Sequence, residues 1–322
     1  MPWLIGIDEA GYGPNLGPFV MTAIACRVAD DPGACDLWQR LSSVVRRRTD
    51  VDDGRLLIED SKIVYSSVRG LCPLELAVLA THSQEASNSA SLTLDEYLDQ
   101  VCPSSGPEVR REVWYTGATS LPVTAEAREI AAVRERFSQT SRQADVAWAR
   151  VCSVVVGADH FNALTERSGT KAAVLGHCLE RLMGELWSLG SDGESLTFVI
   201  DKHGGRNRYA ALLQELIPEG TVLARLESAA RSVYSVHGMA RQVQFTIRPR
   251  ADAEHFCVAL ASMVSKYLRE VLMLEFNRFW QVQVPGLKPT AGYPGDAGRF
   301  FQAIRPTLQK LGITETAIWR KK

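Results

Sequence analysis

Two adjacent carboxylates, Asp8 and Glu9, follow a nearly unbroken apolar run at residues 3–7. Such a run predicts a strand that is buried on both faces. Two acids at the tip of a buried strand are costly unless a positive group neutralises them, so they suggest a divalent cation. In a continuing strand the two side chains would point to opposite faces. To share one ion, the strand must end there and the chain must turn sharply, which Gly11 and Gly13 would allow.

Two other interpretations of this stretch compete with a cation site. The first is a tight turn whose carboxylates are merely solvated. The second is a dinucleotide-binding loop, because a glycine-rich segment follows a strand in that fold too. That fold requires a helix to open within the loop. Here Pro14 and Pro18 interrupt the segment and residues 19–26 predict a second strand, which disfavours nucleotide binding.

The same design recurs at residues 196–201, where an apolar run delivers a single carboxylate, Asp201. The segment after it contains a glycine pair and four basic or potentially basic side chains. A bend at the glycines would let Arg206 and Arg208 reach a phosphate as bidentate donors. A lone aspartate at a strand end is usually structural. Asp201 stands out because it repeats the earlier pattern and because cations crowd beside it.

The remaining elements that would position these side chains follow from apolar runs, alternation and helical spacing. Residues 151–156 and three pieces within 221–248 predict further strands. Helical spacing is found at residues 125–137, 172–187 and 298–311. Both strands and helices are therefore expected along the chain.

Composition restricts the class of protein. The chain has 322 residues, 46% of them hydrophobic and 23% charged, and a net charge of −1, so we expect one or two globular domains. A nucleic-acid binder of this charge needs a local basic patch. Seven scattered cysteines without a Cys-x-x-Cys pair predict reduced thiols in a cytoplasmic protein and neither a disulfide frame nor a zinc site. We also expect no secretion signal and no membrane partner.

The sequence GIDEAGYGP at residues 6–14, followed by Gly17 and Pro18, resembles the opening of the type 2 ribonucleases H (ribonuclease HII). That family begins with Gly-Ile-Asp-Glu-Ala-Gly-Arg-Gly-Pro, so this chain departs from it at Tyr12, where the family has arginine. The resemblance implies an α/β, ribonuclease H-like mixed sheet flanked by helices. It places the catalytic domain at residues 1–277 and a C-terminal helical extension at 278–322. Segments without family counterparts are expected as insertions at about 29–57, 83–150 and 221–248.

Two shorter matches concern contacts to nucleic acid. The family carries an Asp-Ser-Lys near the nucleic-acid backbone, which implies such a role for Ser61 and Lys62. The alternative is a helix N-cap at this point, and both can hold, because a helix start is also a natural phosphate site. A Gly-Tyr-Pro segment implies that Tyr293 packs against the substrate sugar. Its alternative is a turn with a half-buried tyrosine.

The segment 250–270 resembles a family helix, with Asp252 as its expected N-cap. Lys266 and Glu270 are four residues apart and therefore share one face of this helix. Such a pair usually lies on the surface. The resemblance instead implies that Lys266 faces phosphate and that Glu270 binds metal in place of the aspartate of the family.

The resemblance thus implies four metal-binding and catalytic acids: Asp8, Glu9, Asp201 and Glu270. Carboxylates without His or Cys suit Mg²⁺ or Mn²⁺. Two such ions about 3.5–4 Å apart would activate water and stabilise the leaving oxygen of a phosphodiester. The expected reaction is endonucleolytic cleavage of RNA in RNA–DNA hybrids, or of DNA at embedded ribonucleotides, leaving 3′-hydroxyl and 5′-phosphate ends.

Recognition of ribose requires contact with the 2′-hydroxyl. The resemblance assigns this contact to the backbone of Gly11, Tyr12 and Gly13, with Arg206 as a hypothetical replacement for the missing arginine. We expect the protein to act as a monomer. Two alternatives stay open, namely a non-catalytic nucleic-acid-binding relative and a ribonuclease H-like nuclease that acts on DNA junctions.

Overall fold

A computed structural model describes residues 1–66, 68–82, 92–190 and 193–321. Residues 83–91, the start of the insertion expected at about 83–150, lie outside these ranges. The strands of the described chain are β1 (Trp3–Ala10), β2 (Phe19–Val28), β3 (Val45–Arg46), β4 (Leu56–Leu57), β5 (Leu92–Thr93), β6 (Ser120–Leu121), β7 (Val146–Val156), β8 (Leu196–Asp201), β9 (Thr221–Glu227), β10 (Ser232–His237) and β11 (Val243–Arg248).

The helices of the same ranges are α1 (Leu37–Arg40), α2 (Ser61–Val64), α3 (Cys72–Thr81), α4 (Leu94–Val101), α5 (Gly106–Val109), α6 (Ala127–Gln143), α7 (Ala158–Ser168), α8 (Ala172–Leu186), α9 (Ala210–Leu216), α10 (Phe256–Gln283) and α11 (Pro294–Leu311). Two short 3₁₀ turns cover Ala251–Ala253 and Glu315–Ala317. None of the described helices is long and apolar enough to cross a bilayer.

Seven strands form one mixed sheet in the order β7-β2-β1-β8-β11-β10-β9. β1 pairs antiparallel with β2 and parallel with β8, and β11 pairs parallel with the other side of β8. Helices cover both faces, which confirms the α/β mixed sheet flanked by helices. The strands predicted within 221–248 are confirmed as β9, β10 and β11, and all three belong to the main sheet.

The central strand β1 separates two hydrophobic core layers. Leu4 belongs to the layer beneath α10, whereas Ile5 and Ile7 belong to the layer beneath α8 and α9. This alternation follows from the period of two residues in a strand. It predicts that Asp8 faces α10 and that Glu9 faces the opposite layer.

β1 runs two residues beyond Asp8, to Ala10, so the expected strand end and sharp turn at Asp8 and Glu9 are wrong. The two acids meet Asp201 through strand pairing instead. Ile7 pairs with Ile200 across the parallel β1–β8 ladder, and the residues that follow each of them are Asp8 and Asp201. Parallel pairing therefore places two carboxylates side by side at one edge of the sheet.

The long helix α10 lies directly on β1. A Cβ built on Gly6 would fall 2.3 Å from the carbonyl carbon of Cys257 and 2.4 Å from the amide nitrogen of Val258. Only glycine permits this approach. Most residues of α10 are buried, and the helix continues through Gln283, past the domain boundary expected at residue 277.

Candidate active site

Asp8 is the most enclosed acid of the site, with 5% of its surface exposed. Ser262 on α10 lies beside its carboxylate, and Ser265 Oγ donates a 3.1 Å hydrogen bond to its backbone oxygen. Burial, followed by the charges of Glu9 and Asp201, raises the pKa of Asp8 well above its ordinary value. α10 therefore fixes this acid from the face predicted by the strand alternation.

Glu9 lies on the other face of β1, but the charges of Asp201 and Asp252 act on it as they do on Asp8. Burial first, and then the charge of Asp201, raise its pKa to about 8, while the ammonium group of Lys62 acts in the opposite direction. Its Oε2 atom is buried and has no hydrogen-bond partner in the described structure. A buried carboxylate oxygen without a donor is the kind of atom that a cation satisfies.

Asp201 is the last residue of β8 and accepts a 2.8 Å hydrogen bond from the backbone amide of Ala251. Arg250, just before, adopts a left-handed backbone with φ of 57°. This bend starts the 3₁₀ turn that carries Asp252. Burial raises the pKa of Asp201, and the hydrogen bond from Ala251 partly offsets that rise.

Asp252 joins these acids, although the sequence placed it as an N-cap. That interpretation is wrong, because α10 begins at Phe256 with His255 at the cap position. Burial, followed by the charges of Asp60 and Asp201, raises the pKa of Asp252 to about 6. We refer to Asp8, Glu9, Asp201 and Asp252 as the acidic cluster.

Glu270 is not drawn into the acidic cluster. Tyr65 Oη donates a 2.9 Å hydrogen bond to Glu270 Oε2, and Lys266 Nζ forms an ion pair with Glu270 Oε1 at 2.5 Å. The helix explains the separation, because Ser262, which touches Asp8, lies eight residues before Glu270, or about 12 Å along an α-helix. The contacts in the structure thus pair Lys266 and Glu270 with each other, where the sequence assigned one to phosphate and the other to metal.

The donor set of the acidic cluster suits a hard divalent cation, since it consists of carboxylate oxygens. The raised pKa values and the unpartnered Glu9 Oε2 indicate negative charge that the protein itself leaves uncompensated. Across the described ranges, no three His, Cys, Asp or Glu side chains already converge in a metal-binding arrangement.

Ser61 and Lys62 lie at the start of α2, next to the acidic cluster. Asp60 caps this helix by accepting a 2.9 Å hydrogen bond from the Lys62 amide, which confirms the N-cap interpretation. Ser262 Oγ donates a 3.0 Å hydrogen bond to Ser61 Oγ. The charge of Lys62 acts on the carboxylates of Glu9, Asp201 and Asp252, so its ammonium group lies at the mouth of the cluster.

Tyr12 lies beside two cations. The Lys171 ammonium is 5.6 Å from the centre of the Tyr12 ring, and the Arg206 guanidinium is close enough to act on the pKa of the Tyr12 hydroxyl. Burial, followed by the charge of Glu9, raises that pKa. Lys171, at the start of α8, was missed by sequence reasoning because a single lysine before a helix has no distinguishing pattern.

The glycine loop at residues 11–17 continues from β1 beside these groups. Gly11 has φ of 88° and Gly17 has φ of 77°, conformations that favour glycine, whereas a Cβ on Gly13 would meet open space. Tyr293 precedes α11 and is 47% exposed. Its hydroxyl lies near the side chain of Arg269, which lies beneath the 11–17 loop.

Comparison with known proteins gives structural likenesses only. No protein-family model and no curated protein sequence match the chain. Its structure is similar to ribonuclease HII of Archaeoglobus fulgidus from a complex with PCNA (16% identity, 99% of this chain and 94% of that chain, TM-score 0.42). It is also similar to ribonuclease H2 of Pyrococcus horikoshii (12% identity, 98% of this chain and 92% of that chain, TM-score 0.41). A third similar structure is Bst-RNase HIII in complex with Mn²⁺ (14% identity, 99% of this chain and 66% of that chain, TM-score 0.41).

Proposed function

We propose that this protein is a divalent-metal-dependent endonuclease that cleaves the RNA strand of RNA–DNA hybrids, or DNA at embedded ribonucleotides. The products would carry 3′-hydroxyl and 5′-phosphate ends. The observation that supports this proposal most is the acidic cluster, in which four carboxylates from two strands and a turn gather beside basic side chains. The resemblance of residues 6–18 to type 2 ribonucleases H supplies the substrate class.

Within this proposal the acidic cluster would hold Mg²⁺ or Mn²⁺. When bound, such ions supply an activated water and stabilise negative charge on the leaving oxygen. Asp252 takes the fourth place that the sequence gave to Glu270. The chain contributes the positions of the carboxylates, because Ser265 holds the backbone of Asp8 and the Ala251 amide orients Asp201.

The cations around the acidic cluster would bind the phosphate backbone. Lys62 lies on the α2 side, whereas Lys171 and Arg206 lie on the Tyr12 side. Basic side chains on two sides of a carboxylate pocket would hold a nucleic-acid strand across it. The amides of the 11–17 loop would face the ribose, and Tyr293, exposed near the loop, would pack against a sugar.

A non-catalytic nucleic-acid-binding protein is the second candidate. It is favoured by Tyr12, which replaces the arginine of the resembled family, and by the lack of a preformed metal geometry among the described acids. The two functions differ in a single property. Only the nuclease needs the acidic cluster to hold cations during turnover.

The deciding experiment incubates the protein with three labelled substrates: an RNA–DNA hybrid, a DNA duplex with one ribonucleotide, and an all-DNA branched junction. Each is assayed with Mg²⁺, with Mn²⁺ and with chelator. We expect metal-dependent cutting of the first or second substrate. Asp8→Asn should abolish it without unfolding the protein, and Asp99→Asn, the same change on the exposed face of α4, should not. Binding without cutting would support the second candidate, and cutting of the junction alone would indicate a DNA nuclease.

A further inference from the structure

Two arginines lie buried beneath the 11–17 loop, each with 1% of its surface exposed. Arg269 comes from the middle of α10. Arg320 comes from the C-terminal segment, about fifty residues further along the chain. Burial lowers the pKa of both groups, but arginine starts from so high a pKa that both stay protonated at neutral pH. Buried cations of this kind are rare unless they serve a partner.

The partners of both guanidinium groups are backbone carbonyls. Arg320 Nη2 donates a 2.7 Å hydrogen bond to the carbonyl oxygen of Gly11 and a second one to that of Pro14. Arg269 donates to the carbonyl oxygens of Pro18 at 3.0 Å and Ala291 at 2.8 Å. Arg320 Nε and Nη1 have no hydrogen-bond partner in the part of the chain that the structure describes. The two side chains therefore hold the inner side of the loop.

The segment that carries Arg320 is itself docked on the loop. Its amide donates a 2.8 Å hydrogen bond to the Asn15 carbonyl, and Asn15 Nδ2 donates to the Arg320 carbonyl at 3.2 Å. Leu16 and Trp319 form an antiparallel bridge next to this pair. The loop near the acidic cluster and the C-terminal segment thus form one hydrogen-bonded unit.

Asn162 on α7 fixes this unit from outside. Its side-chain nitrogen donates 2.9 Å hydrogen bonds to the carbonyls of Thr316 and Trp319, and its oxygen accepts from the Lys321 amide at 2.7 Å. The Arg320 guanidinium also lies 4.7 Å from the ring centre of Phe161. These contacts give Arg320 one defined position, although it lies in a C-terminal segment.

The consequence for the loop follows from peptide geometry. The carbonyl of one residue and the amide of the next point in opposite directions, because the peptide is planar and trans. Since Arg320 binds the Gly11 carbonyl from beneath, the Tyr12 amide must face the outer side of the loop. Two cations behind the loop also make that outer side more favourable for a negatively charged ligand.

We propose that Arg320, acting with Arg269, is a positioning residue that presents the Tyr12 amide to the sugar–phosphate backbone of a nucleic-acid substrate. This inference rests on the proposed function for the identity of the ligand. The arrangement of the loop is independent of it. An apolar replacement of similar length would remove the two carbonyl contacts while filling the same space, so Arg320→Met is the informative variant.

The first measurement is hydrogen exchange of residues 11–18 in the full-length protein without substrate. We expect exchange in Arg320→Met to be at least about tenfold faster than in the wild type, since charge-assisted hydrogen bonds to the loop are lost. The peptides of β8 should be unchanged. Lys310→Met, on the exposed face of α11, is the matched control and should behave as the wild type. Unchanged exchange of the loop in Arg320→Met would overturn the proposal.

The second measurement separates positioning from general stability. With a DNA duplex that contains one ribonucleotide, kcat of Arg320→Met should fall by about 100-fold, while KM changes far less, because misplacement of a bound group slows the reaction. Arg320→Lys keeps the charge, but its ammonium group ends one bond short of the position of Nη2 and reaches the two carbonyls less well, so it should recover part of kcat. Faster exchange with kcat and KM unchanged would also overturn the proposal.

Two further outcomes also decide the proposal: an Arg320→Met variant that does not fold, and a wild-type protein that cuts none of the substrates. If Arg320→Met does not fold, Arg320→Lys decides, and its equality with the wild type in both loop exchange and kcat would overturn the proposal. If the wild-type protein cuts none of the substrates, the nuclease proposal fails. Binding of the duplexes in Ca²⁺ is then measured in place of turnover. The positioning role is supported if Arg320→Met loses a preference for the ribonucleotide-containing duplex over all-DNA duplex. Equal binding by variant and wild type contradicts it.

Discussion

Tyr65 Oη donates a 2.9 Å hydrogen bond to Glu270 Oε2. Lys266 occupies the other carboxylate oxygen and also lies 4.5 Å from the centre of the Tyr65 ring. Both oxygens of Glu270 thus have donors within the protein, whereas Glu9 Oε2 in the acidic cluster has none among the described residues. Glu270 therefore has its hydrogen-bonding capacity met by the protein, whereas Glu9 in the acidic cluster keeps an oxygen that a cation could bind.

The first prediction compares two acids that compete for the same role. If Asp252 belongs to the metal-binding set, Asp252→Asn should lower metal-dependent cleavage by at least about 100-fold, more than is typical for loss of a group outside the ligand set. Glu270→Gln keeps the size of its side chain and an acceptor for Tyr65, so it should retain activity within about tenfold. The measurement is kcat/KM on the RNA–DNA hybrid with saturating Mn²⁺.

Circular dichroism should show both variants folded before their rates are compared. The opposite ranking, with Glu270→Gln inactive and Asp252→Asn active, would restore the assignment made from the sequence. Equal and full activity of both variants would remove the fourth carboxylate from the mechanism altogether.

Part of this site could be predicted from the sequence, because apolar runs that stop at an acid are visible in it. Apolar runs that stop at an acid gave Asp8 and Asp201, and parallel pairing of β1 with β8 brings them together. Asp252 could not be found in this way. It lies in a 3₁₀ turn that a hydrogen bond to Asp201 shapes, and turns have no periodic pattern.

The assignment of Glu270 to metal rests on a different kind of signal. Helical periodicity tells which residues share a face, but it does not tell which turn of the helix lies opposite the site. The turn of α10 that lies opposite the site is the one that carries Ser262, beside Asp8. Glu270 lies more than two turns further along the helix. Likewise, the docking of Arg320 on the 11–17 loop joins segments about three hundred residues apart, which no local pattern predicts.

The second prediction concerns pH and metal ions. Glu9 has a folded-state pKa of about 8, well above its ordinary value, so the folded metal-free protein binds more protons than the unfolded chain between these two values. Its free energy of unfolding should therefore fall as the pH rises through this window. Thermal unfolding in chelator at pH 6 and pH 8.5 should show a lower Tm at the higher pH, by about 1.5 °C for each kcal/mol lost.

Mn²⁺ should raise Tm more at pH 8.5 than at pH 6, because the ion competes with protons for the carboxylates. Asp252→Asn removes one of the like charges and should weaken both the pH dependence and the effect of Mn²⁺. A Tm that is the same at both pH values and insensitive to Mn²⁺ would contradict the picture of uncompensated charge in the acidic cluster.

The third prediction tests the cations near Tyr12. If Arg206 binds a backbone phosphate, Arg206→Gln should weaken binding of all duplexes alike and reduce the slope of log K against log salt by about 1. Fluorescence anisotropy in Ca²⁺ at several salt concentrations measures both quantities. Arg142→Gln, on the exposed face of α6, is the control and should leave the slope unchanged. If both variants keep the wild-type slope, Arg206 has no phosphate partner.

The fourth prediction concerns the glycine that lets α10 reach β1. Gly6→Ala would place a methyl group within 2.3–2.6 Å of backbone and side-chain atoms of Cys257 and Val258. Because helix backbone must move to relieve this contact, we expect a loss of about 3 kcal/mol in the free energy of unfolding. The same movement carries Ser262 away from Asp8, so the specific activity of the folded fraction should fall as well.

Gly184→Ala provides the matched substitution, since a Cβ at this position in α8 meets nothing within 4 Å. Alanine is the better helix former there, and the variant should gain about 0.5–1 kcal/mol with full activity. Urea unfolding gives both free energies, and cleavage assays well below each midpoint give the activities. If Gly6→Ala were as stable and active as Gly184→Ala, the close approach of α10 to β1 would not be what orients Asp8, and the serine contacts would need another support.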